Sequence, residues 1–285
     1  MMNDRAKGFF IITFIYIVAA FAGISIYRYF DHMNYLIAIA IADLASTMIV
    51  WGAGVFLKNS SVYDPYWSVA PIVILSLFAV GKSTPAPAGI MLLLAVWFWG
   101  IRLTANWVYT FRGLDHQDWR YDKYKADFPK MWPLVNFFGI NFMPTVIVYL
   151  AVIPALVLLN EGYRGNLITY LAFLVCISAA VIQFLADTRL HRFRRSSSGE
   201  ICCEGLWNYS RHPNYLGEIL MWWGVYFMLI SSAPEKWILG IGALANTLLF
   251  IFISIPLMEK RQLENKPGYD DYMQKTNMLI PFFKK

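Results

Sequence analysis

Residues 166–186 read NLITYLAFLVCISAAVIQFLA, and residues 187–195 read DTRLHRFRR. The first string holds 21 residues and no Lys, Arg, Asp or Glu. As a helix rising 1.5 Å per residue it covers about 31 Å, the thickness of a bilayer's hydrocarbon core. The second string ends the apolar run with Arg189, Arg192, Arg194 and Arg195. An apolar helix followed at once by a basic cluster predicts a membrane span that emerges on the cytoplasmic side.

The same pattern recurs along the chain. Apolar segments are predicted at Gly8–Tyr27, Tyr35–Leu57, Tyr66–Val80, Ala88–Phe111, Leu134–Leu159, Asn166–Ala186, Leu216–Ser231 and Trp237–Leu257. The third and seventh are short, and a re-entrant third segment would reverse everything after it. With eight spans, nineteen of the Lys and Arg residues fall on the side of the termini and four on the other, with Arg102 inside a span. That asymmetry predicts a polytopic all-α transmembrane helix bundle with both termini cytoplasmic. Composition agrees: 58% of the 285 residues are hydrophobic, only 15% are charged, and mean hydropathy is +0.49. An ordinary soluble domain carries about 25% charged residues. Disorder, a collagen-like fibre and a soluble disulfide scaffold are excluded. The net charge of +6 belongs to loops at a membrane surface, so nucleic acid is not the expected partner. Cys176, Cys202 and Cys203 form neither a disulfide framework nor a zinc site.

Polar residues mark where chemistry is expected. Gln183, Asp187, His191 and Arg194 follow at intervals of 4, 4 and 3 and share one helix face. Two readings stand for the arginines: snorkelling anchors on phospholipid, or a site for a polyphosphate cofactor. Next comes Arg211-His212-Pro213-Asn214-Tyr215-Leu216-Gly217-Glu218. Pro213 suits a helix N-terminus, and Arg211 with His212 beside that positive end makes an anion-binding corner. Glu218 falls four residues after Asn214, inside an apolar run. A carboxyl there is a functional candidate, or a structural one paired with Arg211 or a tail lysine. Asp43 and Arg102 also fall within spans, and Arg102 needs a partner, with Asp43, Asp64 and Glu218 as candidates. The loop Asp115-His116-Gln117-Asp118 reads as a hydrogen-bonded lid; no metal site is expected.

The Arg211–Glu218 string, the Gly205-Leu206-Trp207 before it, and the ending Asp271-Tyr272 to Ile280-Pro281-Phe282 resemble the C-terminal domain of the steroid 5-alpha-reductase family. Asp64-Pro65-Tyr66-Trp67-Ser68 and the segment from Arg112 to Tyr121 are similar to motifs of its bacterial and protist branch. The resemblance covers residues 59–283. It implies N-terminal transmembrane helices over 1–58 and a catalytic domain over 59–285, with seven core spans and Gly8–Tyr27 as an added helix. It further implies an NADPH-dependent reductase of an activated carbon–carbon double bond in an apolar, lipid-like substrate. By motif, Gln183, Asp187, Asn214 and Glu218 would bind the cofactor, Arg194 with Arg189 and Arg192 its phosphates, and Arg211, His212 and Tyr215 would belong to the same corner. Asp64, or Tyr66 or Tyr63 beside it, would donate the proton. The sequence departs from the family in having Gln183 rather than Asn, and in lacking the substrate-side Tyr, with Trp99 and Gly100 nearest to its place. The Arg-His-Pro-x-Tyr-x-Gly pattern also resembles isoprenylcysteine carboxyl methyltransferases, as do Met258-Glu259-Lys260 and the tail tyrosines Tyr269 and Tyr272. That resemblance implies S-adenosylmethionine instead. A third possibility is a lipid-binding or transport protein with Asp43, Arg102 and Glu218 along a path.

Overall fold

Without water to satisfy its amides, an apolar chain in a bilayer must bond its backbone internally, so each apolar segment becomes a helix. The computed structural model describes residues 3–82, 85–197 and 199–281. The Phe282–Phe283 ending, Lys284, Lys285 and Ser198 of the serine run lie outside the described residues. Among the described residues the regular structure is helical: α1 (Asp4–Tyr29), α2 (Tyr35–Phe56), α3 (Tyr66–Val80), α4 (Pro87–Thr110), α5 (Trp119–Asp127), α6 (Trp132–Leu134), α7 (Met143–Glu161), α8 (Leu167–Ser196), α9 (Pro213–Ile230), α10 (Ile241–Leu249), α11 (Ile255–Asn265) and α12 (Tyr269–Lys275). All eight expected segments are helical. Among the described residues seven helical stretches are long and apolar enough to cross a membrane, which makes this a multi-pass membrane protein. The third stretch reaches that length because a 3-10 turn at Ser60–Tyr63 extends it to Ser60–Val80, 21 residues.

α9 is not among the seven. It has 18 residues, and Asn214 and Glu218 dilute its apolar character. Its path nevertheless matches that of α8. At one end Gly217 abuts Gln183 and Ala179; at the other, Asn166 Nδ2 donates to the Ser231 carbonyl at 2.7 Å, and Thr169 Oγ1 lies 2.7 Å from Ser231 Oγ. α9 therefore runs antiparallel to α8 along the whole apolar part of that helix.

Local chemistry sets several boundaries. Asn34 caps α2, and Asn166 with Thr169 forms a reciprocal capping box at the start of α8. Two π-helical stretches, Val135–Phe142 and Phe250–Ser254, each end just before a proline, Pro144 and Pro256. Proline has no N–H and its ring clashes with the carbonyl four residues back; the widened turn relieves both.

The chain divides into two compact units, Met1–Thr84 with Leu103–Leu156, and Pro85–Arg102 with Val157–Lys285. In the first, α1 lies along α2, where Ser46 Oγ donates to the Ala19 carbonyl at 2.9 Å. The loop before α5 is pinned to the 3-10 turn. Asn59 Nδ2 donates to the carbonyls of Leu114 and His116, Ser60 N–H donates to Gln117 Oε1, and Asp118 N–H donates to Ser61 Oγ. In the second unit, α8 and α9 pack closely because Gly217 and Gly224 carry no side chain: a Cβ at Gly224 would lie 2.5 Å from Cys176 Sγ. α8 continues ten residues beyond the predicted apolar run, carrying Asp187, His191 and Arg194 past its end. The loop after it folds back, with Trp207 Nε1 donating to the Ala186 carbonyl at 3.0 Å.

Candidate functional site

The site stands in the second unit, on α4, α8 and α9. The one-turn spacings read from sequence put Gln183 above Asp187 on α8, and Asn214 above Glu218 on α9. The absent side chain of Gly217 lets the two faces meet, since a Cβ there would stand 2.5 Å from Gln183 Cγ. Glu218 is 3% exposed. Its Oε2 accepts from Trp99 Nε1 and Gln183 Nε2, each at 2.8 Å, and its Oε1 accepts from Trp222 Nε1 at 2.9 Å. Gln183 Oε1 accepts from Arg102 Nη2 at 2.6 Å, and Arg102 Nη1 is ion-paired with Asp187 Oδ2 at 2.9 Å. Asp187 Oδ1 accepts from Asn214 Nδ2 at 3.3 Å. One hydrogen-bonded chain thus runs Trp222–Glu218–Gln183–Arg102–Asp187–Asn214.

Most buried polar groups have partners, so exceptions are informative. The buried Nε of Arg102 has no partner among the described residues. A carboxylate offers about four acceptor positions, and Glu218 uses three. The chain keeps capacity for a further acceptor at Arg102 and a further donor at Glu218.

At the far end of α8, Arg194 is an electrostatic neighbour of Asp187, Arg261 and Lys266. Partial burial, and then Arg194, hold the Lys266 ammonium below its ordinary range. Crowded cations of this kind are relieved by an anion. Gln183 and Arg194 are eleven residues apart, so the face extends about 16 Å along the helix.

The remaining residues of the expected site have other partners. Arg189 is ion-paired with Glu204 across the loop. Arg211 and His212, expected as an open anion-binding corner, are committed to the tail. Arg211 Nε lies 2.7 Å and His212 Nε2 3.0 Å from Glu259 Oε1, and Arg211 Nη1 donates to the carbonyls of Met273 and Thr276. The tail carboxylate neutralises Arg211, because a buried cation needs a counter-charge, and the same oxygen pairs with His212. Tyr215 stacks flat on His212, with ring centroids 5.3 Å apart, and packs against Phe250. Arg192 is exposed. Asp64 and Tyr66 belong to the first unit, where Tyr121 OH donates to Asp64 Oδ1 at 2.6 Å and Tyr66 OH donates to Asp43 Oδ1 at 2.7 Å. Arg102 therefore pairs with Asp187 rather than with Asp43, Asp64 or Glu218, and Glu218 pairs with neither Arg211 nor a tail lysine. The indole of Trp222 was not among the expected site residues, and Trp99 was expected only near the place of the absent substrate-side Tyr, not as a donor to Glu218. Their signal was present, since Trp222 follows Glu218 by one turn and Trp99 precedes Arg102 by three residues.

A multi-pass helical bundle with a buried, charged chain in one unit defines the class of protein. Residues 50–276 match the family described as "Protein of unknown function (DUF1295)", and the chain belongs to that family. It is similar to the fission-yeast protein "Uncharacterized protein C594.04c" of Schizosaccharomyces pombe (strain 972 / ATCC 24843), with 25% identity over 270 residues, covering 82% of this chain and 76% of the relative. No solved structure matches the chain.

Proposed function

We propose that the protein is a membrane-embedded, NADPH-dependent reductase of an activated carbon–carbon double bond in an apolar, lipid-like substrate, of the steroid 5-alpha-reductase type. The observation that carries this reading is the buried chain Glu218–Gln183–Arg102–Asp187–Asn214, which lies on the same face of α8 as the cations near Arg194. The donor set fits such a cofactor. Arg194, with Arg192, would hold phosphate; Asp187 and Gln183 would meet ribose hydroxyls; Asn214 and the free acceptor position of Glu218 suit a carboxamide. When bound, NADPH supplies a hydride to the electron-poor double bond. The chain's own residues orient and shield. Trp99 and Trp222 fix both Glu218 oxygens and exclude water, and Arg102 holds Gln183 and Asp187 in register. A proton delivered to the neighbouring carbon completes the reduction. By the charge asymmetry of the loops, both termini face the cytoplasm, and the cofactor enters from there.

The test is a thermal-shift titration of detergent-purified protein with NADPH and, separately, S-adenosylmethionine. Stabilisation by NADPH alone, lost in Glu218→Gln, supports the reductase. Stabilisation by S-adenosylmethionine alone would establish instead the methyltransferase reading that the Arg211–Pro213 motif shares. Binding of neither would leave a lipid-binding or transport role.

A further inference from the structure

The first unit holds a cavity of about 360 Å³ between α1, α2 and α3. That volume lies within the ~300–1,000 Å³ typical of small-molecule sites. α1 lines it with one stripe from Tyr16 to Arg28, about 18 Å of helix. The walls are mostly alanine, glycine and aliphatic side chains, among them Ala20, Gly23 and Ala70, with Tyr16, Tyr27, Tyr66 and Phe78 between them and a Ser46 hydroxyl already bonded to the Ala19 and Ala42 carbonyls. One carboxyl interrupts them. Asp43 lines the cavity and is 7% exposed; its Oδ1 accepts from Tyr66 OH at 2.7 Å. Its Oδ2 makes no hydrogen bond among the described residues. α1 and most of α2 precede residues 50–276, so the α1 and α2 walls of this cavity lie outside the part matched to the family and its α3 wall lies inside it.

A polar atom turned into an apolar cavity is costly unless something there bonds it. An acyl chain of a bilayer phospholipid, its headgroup at the Arg28 rim, would lay methylenes against that oxygen and leave the cost in place. A hydroxyl removes it. A hydroxyl both donates and accepts, so it pairs with the carboxyl in either protonation state, whereas an ammonium requires the charged one. We propose that this cavity binds a membrane-dissolved lipid alcohol, a hydrocarbon bearing one hydroxyl, which hydrogen-bonds Asp43 while the apolar body fills the cleft toward Arg28. The site does not rest on the reductase reading, and cofactor binding at Glu218 is a separate measurement.

The test is photocrosslinking of the full-length protein in lipid nanodiscs with diazirine-bearing hexadecanol and, in parallel, its methyl ether. The alcohol is expected to label α1–α3 peptides about two- to tenfold more than the ether, the range set by one net hydrogen bond. Asp43→Leu should bring alcohol labelling down to the ether's level, while Asp43→Asn, whose amide still accepts, retains the preference. Ala70→Phe, which narrows the cleft and leaves the Asp43 carboxyl in the chain, should suppress labelling by both. If Asp43→Leu does not fold, competition on the wild-type protein replaces it: unlabelled hexadecanol should displace the probe and its ether should not. Equal labelling by alcohol and ether, or labelling of these helices by a photoreactive phosphatidylcholine that excess alcohol fails to displace, would overturn the proposal.

Discussion

Arg102 Nη1 and Asp187 Oδ2 meet at 2.9 Å with their side chains only 8% and 14% exposed. The guanidinium is shared with Gln183, so one cation ties α4 to two positions on α8. Removing one member of such a pair strands the other charge in a low-dielectric interior. Arg102→Met alone should cost about 3–5 kcal/mol, and Arg102→Met with Asp187→Leu markedly less. Thermal unfolding of the two variants in the same detergent checks this. A double variant no more stable than the single one would show that the pair is not the reason for the loss.

The α8–α9 contact depends on two missing side chains. A Cβ at Gly217 would meet Gln183 Cγ at 2.5 Å and the Ala179 carbonyl oxygen at 2.7 Å, and the latter is backbone that cannot move aside. Gly217→Ala and Gly224→Ala should each destabilise by about 1–3 kcal/mol. Gly52→Ala in α2 is the control. Nothing lies within 4 Å of its added methyl, so it should be neutral or stabilising by about 0.5–1 kcal/mol. Unfolding midpoints of the three variants separate crowding from helix propensity.

The spans were legible because hydropathy and loop charge are properties of single segments. α1 to α4 begin and end within a few residues of the expected limits. Sequence reading stopped where the outcome depends on which helices are neighbours. Nothing in the periodicity of α4 says that Arg102 meets Asp187 rather than Asp43 or Glu218. Nothing near Arg211 says that its counter-charge is Glu259, 48 residues on. The apolar span was expected to end at Ala186 while the spacing of Asp187, His191 and Arg194 predicted helix beyond it, and helix does continue through Asp187–Ser196 because its backbone bonds do not need an apolar surface. Likewise α5, α11 and α12 form within stretches that read as loop and tail. The one-turn pairs Gln183–Asp187 and Asn214–Glu218 were legible, since spacing alone fixes a shared face.

Cys203 offers a check on orientation and on loop chemistry together. It is exposed, whereas Cys176 and Cys202 are buried. Partial desolvation, with Cys202 and Glu204 beside it, holds its thiol above the ordinary range. The thiolate is the reactive form, so labelling by a membrane-impermeant maleimide should be slow at neutral pH and accelerate as pH rises. Cys203 should label before Cys176 and Cys202, and only from the face that carries the termini. Labelling of sealed vesicles of known orientation from the opposite face would reverse the proposed topology.

The C-terminal tail is expected to come loose when a single carboxylate is removed. Glu259 Oε1 receives both Arg211 and His212, and Arg211 in turn holds the carbonyls of Met273 and Thr276 while its own N–H donates to the Asn277 carbonyl. These bonds join the start of α9 to α11 and to the segment after α12. Glu259→Ala leaves a mostly buried guanidinium without its counter-charge, a loss of about 3–5 kcal/mol that falls on the tail. Local opening of that segment should expose the Lys275–Thr276 bond to trypsin much faster than in the wild type. Glu259→Gln keeps an acceptor for Arg211 without the charge and should give an intermediate rate. Limited proteolysis followed by mass spectrometry reads the difference. Cleavage after Lys275 that is unchanged in Glu259→Ala would mean that backbone contacts alone hold the tail, and that Arg211 and His212 are available for another anion.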